Sequence, residues 1–60
     1  MGARILVVED ERVTRKNICE FLRQEGYEVN EAPDEAQALE MLRKGRFDLI
    51  ICDFILNYMD

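Results

Sequence analysis

The stretch "RFDLIICDF", residues 46–54, decides the fold because an apolar run leads directly into a carboxylate. Residues 49–52 are uninterrupted apolar residues, a pattern typical of a strand covered on both faces in a parallel sheet. Asp53 follows where that strand ends. A carboxylate there is costly unless it lies at an open edge beside hydrogen-bond donors or a metal ion. The stretch therefore predicts a buried strand over about residues 47–53 that ends at a functional site.

Two earlier stretches also have the character of strands. "RILVVE", residues 4–9, is a β-branched apolar run without glycine or proline, which suits a central strand. "YEVNEA", residues 27–32, alternates apolar and polar residues, as a strand near the edge of a sheet does. The sequence thus predicts strands over about 4–9 and 27–32.

A helix is predicted between these two strands, over about residues 11–25. Gly26 follows it as a left-handed terminator. Its apolar residues, with Asn17 between them, are expected to form one buried stripe made of Val13, Ile18, Phe21 and Leu22.

A second helix is predicted over about residues 34–44. Asp34 and Gln37 have the spacing of a capping box at its start, and Gly45 ends it. Its buried stripe is expected to comprise Ala36, Leu39 and Leu42, widened by Ala38 and Met41.

The predicted order β-α-β-α-β defines the fold class as α/β. Helices that alternate with strands require parallel neighbours and right-handed crossovers, which gives a three-layer arrangement with a parallel sheet in the middle. With the first strand central, the strand order is 2-1-3. Sixty residues without a linker or repeat make one domain.

Three carboxylates are predicted to meet at one edge of this sheet. Glu9 and Asp10 close the first strand, and Asp53 closes the third. In an open parallel sheet, ligands bind beyond the carboxyl ends of the strands, where the strand order reverses. Like charges gathered there favour a bound cation or a proton, and an all-oxygen set of ligands favours Mg²⁺ over zinc.

Each of these acids also has a simpler interpretation. Asp53 alone could cap a turn after its strand. Glu9 and Asp10 could form an acidic cluster favoured by the dipole of the helix that follows. Cys52 is interpreted as a small apolar filler in its strand, and both it and Cys19 as free thiols.

Composition limits the classes of partner. Thirteen acidic against eight basic residues give a net charge of −5, which argues against direct nucleic-acid binding. The chain shows no leader and no apolar stretch of membrane-spanning length, so we expect a cytoplasmic protein without membrane contact.

The acidic edge suggests phosphoryl chemistry. A magnesium ion held by two carboxylates commonly works beside a phosphoryl group, which leaves Asp53 as a nucleophile able to form an acyl phosphate. A glycine-rich phosphate loop is absent from the sequence, so a nucleotide donor is not expected to bind here.

The segments "ILVVEDE" and "FDLIICDF", the latter followed by "ILNYMD", resemble the amino-terminal half of a two-component response-regulator receiver domain. The resemblance implies a flavodoxin-like (CheY-like) fold and phosphorylation of Asp53 by a sensor histidine kinase. It also implies Mg²⁺ bound by Glu9, Asp10, Asp53 and the backbone carbonyl of Ile55. No independent enzyme activity is expected.

The sequence departs from that family at two points, and these lead to an alternative to the receiver function. Asn57 stands where the family usually has proline, and the fourth and fifth strands, with their hydroxyl residue and lysine, have no counterpart in residues 1–60. The alternative is therefore a truncated half-receiver that self-associates, as a homodimer through the third strand or with a complementary second half, and lacks phosphotransfer competence. An aspartyl-phosphate hydrolase is disfavoured because residue 55 is isoleucine rather than a second acid.

Overall fold

The computed structural model describes residues 2–52 of the chain. Five elements alternate between strand and helix, as the sequence predicts. They are β1 (Arg4–Val8), α1 (Arg12–Gln24), β2 (Glu28–Ala32), α2 (Glu35–Lys44) and β3 (Leu49–Cys52).

The three strands form one parallel sheet in the order β2-β1-β3, so the predicted α/β topology is confirmed. β1 is central and pairs with both neighbours. Its last residue, Val8, lies opposite Ala32 of β2 and Cys52 of β3. The carboxyl ends of all three strands therefore lie at the same edge of the sheet.

The core consists of two hydrophobic clusters, one on each face of the sheet. Alternate residues of β1 point to opposite faces, as the pleat of a strand requires. The cluster beneath α2 contains Leu6, Val8, Ala32 and Ala38, with Met41, Phe47 and Cys52 packed against it. The cluster beneath α1 contains Ile5, Val7 and Cys19, with Ile18, Leu22, Val29 and Ile51 packed against it. Two helices on opposite faces give the predicted three layers.

The predicted stripe of α1 is wrong at two positions. Val13 and Phe21 are 63% and 61% exposed, whereas Cys19 is fully buried. Val13 precedes the packed Leu22 by nine residues, which is two and a half turns and therefore the opposite side of the helix. α1 packs on the sheet with one side only. The fully buried position on that side is occupied by the small Cys19, which the predicted stripe did not include.

The predicted stripe of α2 is also displaced. Leu39 is 55% exposed, and Ala36 and Leu42 are exposed as well. Ala38 and Met41, three residues apart, were predicted to widen the stripe, and they are the residues that face the sheet. The apolar residues of this helix cover more than one side, so their pattern does not identify which side packs.

Both helices have defined ends. At the end of α1, Gly26 has a φ of 98°, and its N–H donates to the carbonyl of Arg23 while that of Tyr27 donates to Leu22. This left-handed terminator confirms the prediction. At the start of α2, the Asp34 carboxylate accepts a hydrogen bond from the N–H of Gln37 at 2.8 Å, which confirms Asp34 as the N-cap.

Candidate functional site

The candidate site begins where β1 ends. Glu9 directly follows Val8, and its N–H continues the ladder by donating to the carbonyl of Ala32 at 3.1 Å. Glu9 is only 6% exposed, and its Oε2 accepts a hydrogen bond from the N–H of Glu11 at 3.0 Å. The sheet therefore fixes the backbone of Glu9, and the turn that follows holds its carboxylate.

The neighbouring acids differ in environment and in role. Asp10 is exposed, whereas Glu11 is the N-cap of α1, because its Oε1 accepts a hydrogen bond from the N–H of Thr14 at 2.7 Å. That bond from Thr14 lowers the pKa of Glu11, since it stabilises the ionised carboxylate. Glu11 therefore caps α1. Glu9 and Asp10 lie before the cap and do not serve this function.

The third predicted acid, Asp53, lies outside the described residues, and so does Ile55. Its role and the carbonyl ligand from Ile55 stay predictions. Within residues 2–52, no group of three or more histidine, cysteine or acidic side chains lies close enough together to hold a metal ion. The adjacent carboxylates of Glu9 and Asp10 are hard oxygen donors, the type of ligand that Mg²⁺ prefers.

An ionic cluster beside Glu9 was missed by the sequence interpretation. Glu31, on β2, accepts Nε of Arg15 on Oε1 at 2.9 Å and Nζ of Lys16 on Oε2 at 3.0 Å. Hydrogen bonds from Arg15 and then Lys16 lower the pKa of Glu31. Arg15 also donates from Nη1 to the carbonyl of Glu9 at 2.8 Å.

One signal in the sequence could have located Arg15. It precedes Cys19 by four residues and Leu22 by seven, which is the spacing of side chains on the same side of a helix. A cation on the packed side requires a buried or half-buried acceptor. The acceptors are Glu31 and the carbonyl of Glu9.

The two cysteines are free and lie on opposite faces of the sheet. Cys52 packs against the cluster beneath α2, in agreement with its interpretation as an apolar filler. Cys19, on α1, is fully buried against the sheet, and this burial raises the pKa of its thiol.

The family comparison agrees with the topology. The family described as the response regulator receiver domain matches residues 5–60. The chain belongs to this family. Membership of this family supports a role in two-component signalling, and the three-strand sheet is half of a CheY-like fold.

Curated relatives of this receiver domain include two kinds of regulator. Response regulator MprA of Mycobacterium ulcerans (strain Agy99) is 38% identical over 60 residues, which are 100% of this chain and 26% of that protein. Transcriptional regulatory protein PdtaR of Mycobacterium tuberculosis (strain ATCC 25618 / H37Rv) is 45% identical over 51 residues, 83% of this chain and 25% of that protein. The receiver chain thus spans about a quarter of the length of the curated relatives it matches.

Two further findings concern solved structures and the length of the helices. No solved structure gives a significant match to the receiver chain. Within residues 2–52, neither helix has the length and apolar character that crossing a membrane requires.

Proposed function

We propose that this receiver domain accepts a phosphoryl group on Asp53 from the phosphohistidine of a sensor histidine kinase. Mg²⁺ would be held by Glu9, Asp10, Asp53 and the backbone carbonyl of Ile55. The observation that carries the proposal is the register of the sheet, in which Val8 lies opposite Cys52. Glu9 and Asp53 each follow one of these paired residues in the sequence.

The proposed reaction is a transfer between two nucleophiles. A carboxylate oxygen of Asp53 attacks phosphorus and forms an acyl phosphate, while the P–N bond of the phosphohistidine breaks and the imidazole nitrogen leaves. When bound, Mg²⁺ neutralises charge on the phosphoryl oxygens. Glu9 and Asp10 supply carboxylate oxygens at the end of a rigid strand. No activity independent of this transfer is proposed.

The setting of the reaction follows from the same features. The partner is the kinase, and the location is the cytoplasm, where free thiols such as Cys19 and Cys52 persist. Direct contact of this domain with nucleic acid is not part of the proposal, because the net charge is −5.

The proposal is tested by intact mass after incubation with phosphoramidate, whose P–N bond imitates the phosphohistidine. We expect the gain of one phosphoryl group with Mg²⁺ and no gain when the metal is chelated. Asp53→Ala should abolish the gain. Asp48→Asn is the matched control, because Asp48 precedes the amino end of the same strand, and it should be phosphorylated like the wild type. Phosphorylation of Asp53→Ala would contradict the proposed acceptor.

A second candidate function, self-association, is favoured by the exposed apolar side chains of β3. Leu49 is 53% exposed and Ile50 is 41% exposed. Among residues 2–52, β3 pairs with β1 on one edge and with no strand on the other. Such an edge is a template for pairing with a second copy of the chain or a complementary second half. In this alternative the chain is a structural fragment without phosphotransfer competence.

Sedimentation over a concentration series separates the two candidates when it is run on the samples used for mass measurement. A dimer that gains no phosphoryl group would favour the structural alternative. A monomer at every concentration would contradict self-association. Phosphorylation of either species would support the receiver function.

A further inference from the structure

The side chain of Arg15 connects three segments of the chain next to the acidic pair. Its Nη1 donates to the carbonyl of Glu9 at 2.8 Å, and its Nε donates to Oε1 of Glu31 at 2.9 Å. The Arg15 side chain is only 12% exposed. One guanidinium thus joins the first turn of α1, the end of β2 and the residue that follows β1.

The contact with the Glu9 carbonyl has a particular geometric effect. That carbonyl belongs to the peptide group between Glu9 and Asp10, and a peptide group is planar. A hydrogen bond to its oxygen therefore restricts the rotation of the plane that joins the two acidic residues. The N–H of Glu9 is already fixed by the carbonyl of Ala32, so Arg15 restrains the following peptide.

Glu31 restrains the guanidinium in turn. It accepts Nε of Arg15 on one oxygen and Nζ of Lys16 on the other. The planar guanidinium presents donors in a fixed fork, so a bond at Nε sets the direction of Nη1. Lysine has a single nitrogen on a flexible stem, so a bond to Glu31 would not fix the direction of a second donor toward the Glu9 carbonyl.

We propose that Arg15 is a positioning residue, which orients the Glu9–Asp10 peptide and thereby aims both carboxylates at the divalent cation. The inference rests on the proposed function for the identity of the cation, and on the contacts of Arg15 for the positioning. Lys16 shares Glu31 with Arg15, because its Nζ donates to Oε2 of Glu31 at 3.0 Å. Lys16 is therefore the matched control for charge.

The first test compares Mg²⁺ binding by calorimetry in Arg15→Met, Lys16→Met and the wild type, using the full chain. Both substitutions remove one positive charge beside Glu31, but only Arg15→Met removes the donor to the Glu9 carbonyl. We expect Arg15→Met to weaken Mg²⁺ binding by roughly 10-fold or more, the usual effect of losing a group that orients a metal ligand. Lys16→Met should bind Mg²⁺ as well as the wild type. Equal shifts in both variants would show a charge effect and overturn the proposal.

A third variant, Arg15→Lys, distinguishes the positioning effect of the guanidinium from the effect of its charge. It also replaces Arg15→Met if that variant does not fold. It keeps the positive charge and loses the fork, so it should also weaken Mg²⁺ binding by several-fold. Binding equal to that of the wild type would overturn the positioning role. Circular dichroism of each variant verifies that the fold is retained.

The second test needs no metal and distinguishes the positioning role from the proposed function. The N–H of Glu11 donates to Oε2 of Glu9, so its hydrogen exchange reports the order of the acidic segment. We expect faster exchange at Glu11 in Arg15→Met and unchanged exchange in Lys16→Met. Unchanged exchange in both variants would overturn the positioning role. A wild-type chain that binds no Mg²⁺ would overturn the cation and the proposed function, while the exchange result would still decide the positioning.

Discussion

Arg4 and Asp48 exchange two hydrogen bonds at the amino ends of β1 and β3. The N–H of Arg4 donates to Oδ2 of Asp48 at 2.8 Å, and the N–H of Asp48 donates to the carbonyl of Arg4 at 2.7 Å. The guanidinium of Arg4 also lies over the ring of Phe47, 4.8 Å from its centroid. These contacts fix the start of β3 at the edge of the sheet opposite Glu9.

Asp48→Ala should lower the free energy of unfolding by about 1 kcal/mol, the net value of one hydrogen bond at an exposed position. Asp48→Asn should lower it less, because the amide oxygen can still accept from the N–H of Arg4. Urea denaturation measures both variants through their midpoints. Equal losses for alanine and asparagine would show that the charge of Asp48, rather than its acceptor, stabilises this corner.

Gly26→Ala should destabilise the domain by about 1 to 2 kcal/mol, because a side chain is unfavourable at the positive φ of this residue. An added Cβ meets no atom within 4 Å, so the cost lies in the backbone alone. Gly45→Ala is the matched control, since it lies after the other helix and its φ is −152°. A Cβ at Gly45 would lie 3.3 Å from Nη1 of Arg4, a flexible side chain that can shift. Its stability should stay within about 0.5 kcal/mol of the wild type, and a loss like that of Gly26→Ala would refute the backbone explanation.

Stability should depend on pH through Glu31. Arg15 and Lys16 hold the pKa of its folded-state carboxyl below the ordinary value of 4.5. The ionised carboxylate therefore stabilises the folded state above pH 4.5, and this contribution is lost as the pH falls through the lowered folded-state pKa. Urea denaturation of Glu31→Gln and the wild type should give a difference in the free energy of unfolding that is greatest at neutral pH and shrinks in acid.

A control for the pH experiment is Glu20→Gln, at an exposed position of α1. Its stability difference from the wild type should be small at neutral pH. A difference for Glu31→Gln that stayed constant from neutral pH into acid would contradict the ionic explanation.

Thiol labelling should report which side of α1 packs on the sheet. In a Cys52→Ala background, Cys19 should react with a maleimide only when the domain opens, because it is fully buried and its thiol pKa is raised. A thiol introduced as Phe21→Cys, in a background that also carries Cys19→Ala, should react freely. The expected difference in rate is on the order of 100-fold, which corresponds to an opening free energy of about 3 kcal/mol. Similar rates would indicate that the helix is rotated from the orientation described above.

The sheet could be predicted from the sequence because its signal is local. The apolar runs that contain Ile5 to Val8 and Leu49 to Cys52 are bounded by polar residues, and helices between strands permit a parallel arrangement. The helix sides were harder to predict because α1 and α2 carry large apolar residues on more than one side. Exposed Val13 and Leu39 have the same chemical character as buried core residues, and only the packing distinguishes them.

The sequence located the acidic segment after β1. It did not reveal the ionic contacts of Arg15 that hold this segment. Glu9 and Asp10 follow a strand whose end is evident from the pattern. The partnership of Arg15 with Glu31 joins residues sixteen positions apart in the sequence. It depends on how the crossover places the start of α1 beside the end of β2, and this is a property of the tertiary structure.

The alternation of β1 ties the two halves of the core to one strand. Val7 faces α1 and Val8 faces α2, so separation of either helix from the sheet would expose one side of β1 to water. Glu9 is the next residue, hydrogen-bonded to Ala32 as a continuation of the same strand. A disturbance of either helix would therefore affect the strand that directly precedes the acidic pair. Loss of packing on one face of the sheet would also affect the other face.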